Sequence, residues 1–499
     1  MVSSRRADVL LGLLVLCHLM PVWLNRYLPT QDGPAHLANA AILAECGPRC
    51  ADFYEIRLEA VPNWTVHVVL AGLFHVVAPL TAEKVVVSVY VIGFAWSFRY
   101  FLGGFGKDSG YLAAAALLLL LPRCFWMGFY NYCLSMVLLW TILGYVLRRP
   151  RLDAGPAAVL AALFLACWFT HLVGFLLAVT GSLWLAGLTA MDRTGPEAFQ
   201  ARAARLGWIA LAALPALLLT LDYFERSGFW AAGRPRLLEG VSAERLQADI
   251  AGLGMQMFGP LPRADTLATV TLVVYALLLV VGAWCGAAGV PRWPIACYGA
   301  LLLAGYWLVS DHLPSDQGGF LKCRLAAVFP LCLLAACRPT PRPACRLGCW
   351  ALTLVALSWK LGLVSGHVGN LQDEIEEFTA GLGAVGENRT LFIVRGDRRA
   401  AGADHLEHAG DYYCLGTGNV NLDNHEAASG YFPIRFREGV VRARGDFATH
   451  PQRELVDLVV LWDASPERWL PGGTRQAPVF QRDRLLILEA KRPEALPRE

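Results

Sequence analysis

The sequence predicts a polytopic α-helical membrane protein with a core of about eleven transmembrane helices, followed by a small C-terminal α/β domain. Three observations carry this. The chain of 499 residues is 56% hydrophobic and only 17% charged, with a mean hydropathy of +0.44, whereas a soluble domain is about a quarter charged. Apolar runs that approach or exceed the roughly 18 residues of a bilayer span recur between residues 9 and 364. Beyond residue 364 the composition turns polar, with strand-like runs at 390–394, 455–461 and 485–488 and a helical stretch near 372–382. This divides the chain into a membrane domain over 1–364 and a soluble domain over 365–499, the latter of ordinary domain size.

The N-terminus is basic and then apolar over 9–24, the outline of a signal peptide. No small-residue cleavage site follows; Pro21, Trp23 and Arg26 do, so it reads as an uncleaved first span. Next comes LPTQDGPAHL, residues 28–37, at one membrane face. Gly33 and Pro34 open a helix, Asp32 is placed to cap it, and His36 follows one turn later. The same loop holds CGPRC; a Cys46–Cys50 disulfide and two free thiols are both consistent with that spacing. The stretch 61–80 is long enough to cross, but Asn63, His67 and His75 interrupt it. Ten further apolar runs lie at 85–102, 111–121, 132–147, 157–169, 172–191, 206–221, 267–285, 295–309, 320–337 and 347–364.

Orientation depends on 61–80. Suppose it lies in the interface, so that 25–80 forms an outer loop with interfacial helices. The clusters Arg148, Arg149, Arg151 and Arg338, Arg342, Arg346 then fall on the inner side with Arg5 and Arg6, as the positive-inside rule requires. If it crosses, both later clusters face outward. The interfacial arrangement is therefore expected, with the C-terminal domain outside. The outer face then gathers the Asp32 loop, the turn 125–131, His171, the loop 222–266 and the loop 310–319.

Polar groups at a membrane face are costly and need a reason. Asp32 either takes a proton from an acceptor, or ligates a divalent cation such as magnesium or manganese, or merely caps its helix. With His36 alone it makes no metal cage. Arg324, near the outer end of 320–337 with Lys322 two residues before, either binds a lipid phosphate or snorkels to the headgroups. His171 in FTHLVGF and Asn131 in GFYNY are candidate substrate contacts or ordinary turn residues. In the tail, Asp423, His425 and Glu426 stand together in NLDNHEAASGYFPIRFR, which reads foremost as an ordered packing loop, with a metal or sugar contact as the alternative. No P-loop, GxSxG or paired CxxC occurs, and no basic stripe suggests a nucleic-acid partner.

On these residues the membrane core, about 1–340, resembles the GT-C glycosyltransferases. Asp32 in PTQDGPAHL matches the acidic residue of their first outer loop, and 61–80 matches their membrane-parallel helix. DGPAH, GFYNY and YFP are similar to motifs in bacterial membrane proteins grouped with this class. Asn131 holds the place of a second acid, and Gly33 follows Asp32 where an Asp-Glu pair is usual. The resemblance implies an inverting transferase in the bacterial cytoplasmic membrane, which moves a sugar from a polyprenyl-phosphate donor to a lipid or glycan acceptor. Asp32 would be its base, Arg324 and Lys322 would hold the carrier phosphate, and His36 and His171 would orient the substrates. A transporter or flippase would show internal repeats with broken helices, and none is seen; a non-catalytic scaffold is the third expectation.

Overall fold

Helix in this chain is set by long runs of Ala, Leu and Val without paired charges, a pattern that satisfies every backbone group internally in lipid. In the computed structural model, the described residues are 4–106, 110–188, 196–227, 240, 242–287, 289–311, 319–396, 403–429, 432–443, 447–466 and 478–490. Among them, six helices are long and apolar enough to cross a membrane: Arg5–Trp23, Pro79–Phe105, Tyr130–Leu147, Glu197–Arg226, Ala264–Cys285 and Pro343–Val385. Large apolar side chains stand exposed along them at helical spacing: Val9, Leu13, Leu16 and Met20 on the first, and Leu211, Leu214, Leu218 and Leu221 on the fourth. Such stripes suit contact with lipid and not with water. The protein is thus a helical, membrane-associated chain. Shorter apolar helices are Thr65–Phe74, Gly110–Leu119, Ala154–Thr170, Leu172–Leu188 and Trp293–Leu308.

One of the expected apolar runs forms only a short helix, and two others are broken. Residues 61–80 give the helix Thr65–Phe74, whose ten residues rise about 15 Å, half a hydrocarbon core. The 111–121 run turns from α-helix at Ala116 into a 3₁₀ turn over Leu117–Leu119 and is extended at Leu120. The 320–337 run is split into Leu321–Ala326 and Phe329–Ala336, where Pro330 lacks the N–H that would join them.

The chain divides into two compact units. Unit 1 comprises Met1–Leu24, Ala60–Asn63 and Val87–His367; unit 2 comprises Asn25–Glu59, Trp64–Val86 and Val368–Glu499. The consecutive division at 364 is therefore not the spatial one. The first-loop segments belong with the tail, and the helix Pro343–Phe378 runs on past 364 without a break.

In unit 1 the helices Tyr130–Leu147 and Leu172–Leu188 approach closely at Gly174, where a Cβ would run into Ser135 Oγ. The break after Leu117 is stabilised from another helix. Lys360, fully buried, donates from Nζ to the carbonyls of Leu117 at 2.6 Å and Leu120 at 2.7 Å. A helix break inside an apolar environment frees carbonyls, and a buried ammonium supplies their donors.

Among its described residues unit 2 is built on seven strands: β1 Tyr54–Ile56, β2 Thr390–Arg395, β3 Val420–Asn421, β4 Ile434–Phe436, β5 Leu458–Trp462, β6 Phe480–Arg482 and β7 Leu485–Glu489. The order of the larger sheet is β3-β2-β5-β7-β6, with β2 parallel to β3 and β5, and β7 antiparallel to β5 and β6. The three tail strands expected from the sequence are β2, β5 and β7. Every residue of β5 is buried, as a central strand covered on both faces should be. The first loop adds β1, which pairs antiparallel with β4 in a separate ribbon. Cys46 and Cys50 are disulfide-bonded, and Cys50, Phe53 and Tyr54 pack into one core with Phe392, Val394, Val459 and Leu461. Tyr27 is fixed to the tail by two backbone bonds with Gln372 and by Thr379 Oγ1 on its hydroxyl. Tyr431 of YFP, residues 228–239 of the long loop and 312–318 of the later one lie outside the described residues.

Candidate functional site

Asp32 occupies the N-cap position of the helix Gly33–Ala44, yet its side chain makes no cap bond. Its backbone is helical, φ −96° and ψ −4°, whereas a capping residue is usually extended so that its oxygen can reach the N2 or N3 amide. Pro at N1/N2 also removes one of the amides a cap would serve. The cap expected from the sequence is therefore absent, and the carboxylate faces other partners. Gln31 Nε2 donates to Oδ1 at 3.4 Å, and His408 Nε2 lies 3.5 Å from the same oxygen. Burial pushes the Asp32 carboxyl up to about 7; nearby His36 opposes this and nearby Glu426 adds to it. The His408 ring stacks on His425, centroids 3.9 Å apart. Burial, then the proximity of His425 and Arg442, holds His408 well below its ordinary range, so it is neutral.

One turn along the helix, His36 meets Glu426 and His67 from distant segments. Its Nδ1 lies 2.6 Å from Glu426 Oε1 and 3.3 Å from His67 Nε2. His67 Nε2 lies 2.7 Å from Glu426 Oε2. His67 and Glu426 are wholly buried and His36 is 4% exposed. Asn39, one turn after Ala35, donates to Glu426 Oε2 at 2.7 Å and exchanges amide bonds with Asn424. Asn424 in turn caps the short helix His425–Ala428 by accepting from Ala427 N–H. Burial raises the Glu426 carboxyl, but His36 and His67 outweigh it and hold the group well below the carboxylate range.

Two groups of metal-capable side chains therefore lie in unit 2: His36, His67, Glu426 and Asp32, His408, His425. The first offers two nitrogens and a carboxylate. That set does not suit magnesium, which takes oxygen ligands, and manganese is the weakest of the divalent first-row ions at such a site.

The other expected substrate-binding residues lie in unit 1. Arg324 is 8% exposed; its guanidinium sits over Phe129 at 5.1 Å and Tyr132 at 5.8 Å, and Nη1 donates to Gly319 O at 2.8 Å. Its Nε has no hydrogen-bond partner among the described residues. His171 caps the helix Ala154–Thr170, accepts from Val173 N–H at Nδ1, and meets the edge of Tyr132 at 5.2 Å. Tyr132 thus brings His171 and Arg324 together. Asn131 points to different company, donating to the carbonyl of Asn63 at 3.1 Å. Lys322 is ion-paired with Asp249, so its charge is already matched.

Sequence reasoning noticed His67 and set His425 beside Glu426 but did not join Glu426 to His36 and His67, and it missed His408 and Asn39. Glu426 is 390 residues from His36 and 359 from His67, so no local spacing could reveal the group. No family model, curated protein or solved structure matches this chain.

Proposed function

We propose that the chain is a membrane glycosyltransferase that takes a sugar from a polyprenyl-phosphate carrier, with Asp32 as general base. The observation that carries this reading is the Asp32 carboxyl itself: buried, not spent on its helix, and bound among the described residues only by a weak amide contact and a neutral histidine. A base works best when its pKa lies near the operating pH, and burial moves Asp32 there. In the reaction, the acceptor O–H gives its proton to Asp32 while its oxygen bonds to the anomeric carbon. The bond from that carbon to the carrier phosphate breaks, its electron pair leaves with the phosphate, and the configuration inverts. Arg324 is the residue of unit 1 suited to a phosphate. Its fork is buried, stacked on aromatic rings, and retains an Nε without a partner among the described residues. Lys322 is not expected to help, since Asp249 holds it.

The topology goes with this reading: about eleven crossings in a bacterial cytoplasmic membrane, with unit 2 outside. A transporter gains two supporting observations: the breaks in the 111–121 and 320–337 runs, and the buried Lys360, since an intramembrane charge often marks a transport path. That amine, however, already binds two carbonyls.

The test is Asp32→Asn in the full chain, in proteoliposomes supplied with a polyprenyl-phosphate sugar and a lipid acceptor. Loss of the base should lower transfer about 10²–10⁴-fold. Undiminished transfer overturns the assignment.

A further inference from the structure

We propose that His36, His67 and Glu426 bind one divalent transition-metal ion of the zinc class. This goes beyond the glycosyl-transfer reading and does not depend on it. The three side chains come from three separate segments of unit 2: the helix Gly33–Ala44, the helix Thr65–Phe74 and the short helix His425–Ala428. Their ligand atoms nevertheless all lie within 4.8 Å of one another.

The spacing of the two nitrogens is that of a metal edge. A tetrahedral ion with metal–nitrogen bonds of about 2.0–2.1 Å holds its ligand atoms about 3.3 Å apart. His36 Nδ1 and His67 Nε2 are 3.3 Å apart. The carboxylate oxygens of Glu426 stand closer, at 2.6 Å and 2.7 Å, the length of a hydrogen bond; an ion would open them by about 0.6 Å. Two imidazole nitrogens facing one carboxylate must both present N–H if the group is only a hydrogen-bond clamp. A cation accepts all three lone pairs at once and removes that crowding.

The surroundings are those of a metal centre. Asn39 holds Glu426 from behind through Oε2, and Asn424 holds Asn39; such outer contacts fix the direction of a ligand. Phe432 lies against both imidazoles, at 6.4 Å from His36 and 5.2 Å from His67, which gives the site a dry wall. Two nitrogens and one carboxylate select zinc, cobalt or nickel over magnesium and calcium. Three protein ligands leave a fourth position open, as in catalytic zinc sites.

The experiment uses the full chain in detergent micelles, stripped with a chelator and reloaded with zinc, with bound metal measured by elemental analysis. About one zinc per chain is expected. His67→Ala and Glu426→Gln should each lower zinc affinity at least tenfold, and His408→Ala should retain it. Asn39→Ala leaves the three ligands in place and should weaken binding about 10–100-fold. Should the ligand variants fail to fold, cobalt loaded into the wild-type chain gives the reading instead: the intense visible absorption of a tetrahedral nitrogen–oxygen site is expected. Absence of zinc from the reloaded wild type, full retention by both ligand variants, or an octahedral cobalt spectrum overturns the proposal. So does loss of the ion from His408→Ala alone, which would assign it to the group around Asp32.

Discussion

Replacing Asp411 by Asn should stabilise unit 2 at alkaline pH. Asp411 lies in the 3₁₀ turn Ala409–Cys414 and is 1% exposed. Oδ1 accepts from Asn421 Nδ2 at 2.8 Å, while Oδ2 has no partner among the described residues. Burial raises the carboxyl from 3.8 to about 7; the Asn421 bond and Arg442 oppose the shift, and Asp423 and Glu426 add to it. The folded state therefore holds the proton more tightly than the unfolded state does. Between pH 4 and pH 7 it binds more protons than the unfolded chain, so stability falls as pH rises through that window and is level above it. A shift of about three units at 1.36 kcal/mol per unit amounts to about 4 kcal/mol. The amide removes this cost but leaves an NH₂ where Oδ2 stood, at about 1–3 kcal/mol. At pH 8 the net gain should lie between about 1 and 3 kcal/mol, and near pH 4 the benefit should vanish. Hydrogen exchange of the β2 and β5 amides at pH 8, in the full chain in lipid nanodiscs, reads this as protection at least about fivefold higher in the variant. Equal or faster exchange at pH 8 would refute the claim that burial governs this carboxyl.

Three other outcomes follow from the packing. Lys360→Met strips the donors from the Leu117 and Leu120 carbonyls and should cost about 2–6 kcal/mol in a detergent unfolding titration, counting two unsatisfied groups; a variant as stable as wild type would show that the amine is dispensable there. Gly174→Ala drives a methyl into Ser135 Oγ and should cost about 1–3 kcal/mol, with Ser135→Gly in the same chain recovering most of it. Reducing the Cys46–Cys50 bridge closes no large loop, since only four positions separate the cysteines; the loss should be about 2 kcal/mol, seen as a modest fall in melting temperature on adding reductant.

The tail strands were legible because β2, β5 and β7 are short runs of branched and leucine side chains between polar turns, and a buried strand needs little else. The long helices were legible for the same reason: composition alone decides whether a segment can face lipid. What composition could not tell was which runs break. Gly110–Ala116 and the following turn look like one apolar segment, and the break is stabilised by Lys360, some 240 residues away. The division into units was hidden for a similar reason. Tyr27, Asn39 and Tyr54 bond to Gln372, Glu426 and Asn421, contacts that no local pattern records. Of the site, the sequence singled out Asp32 and His36 but joined them to each other, because a four-residue spacing suggests one helical face. In the structure His36 has better partners.

Those partners explain why Asp32 and Glu426, two buried carboxylates in one unit, are suited to different work. Glu426 accepts from Asn39 and faces the nitrogens of both His36 and His67. A carboxylate so surrounded stays ionised and fixed in direction, which is what a metal ligand requires. Asp32 has one amide donor at 3.4 Å and a histidine nitrogen at 3.5 Å, long contacts that neither hold the anion strongly nor orient it. Its own helix would ordinarily supply the missing donors through the first-turn amides. The helical backbone at Asp32 and the proline beside it withdraw that option. A segment meant only to start a helix would gain about 1 kcal/mol from letting this side chain cap. The sequence DGPAH forgoes it, and the result is a buried acid with free capacity to take a proton. Asp32→Ser offers a further measurement of this point. Serine is a good N-cap but a poor base, so if the backbone relaxes to use it, helix stability should rise by up to about 1 kcal/mol while transfer falls as far as in Asp32→Asn. A serine variant that loses stability and keeps transfer would mean that the carboxylate serves the fold after all.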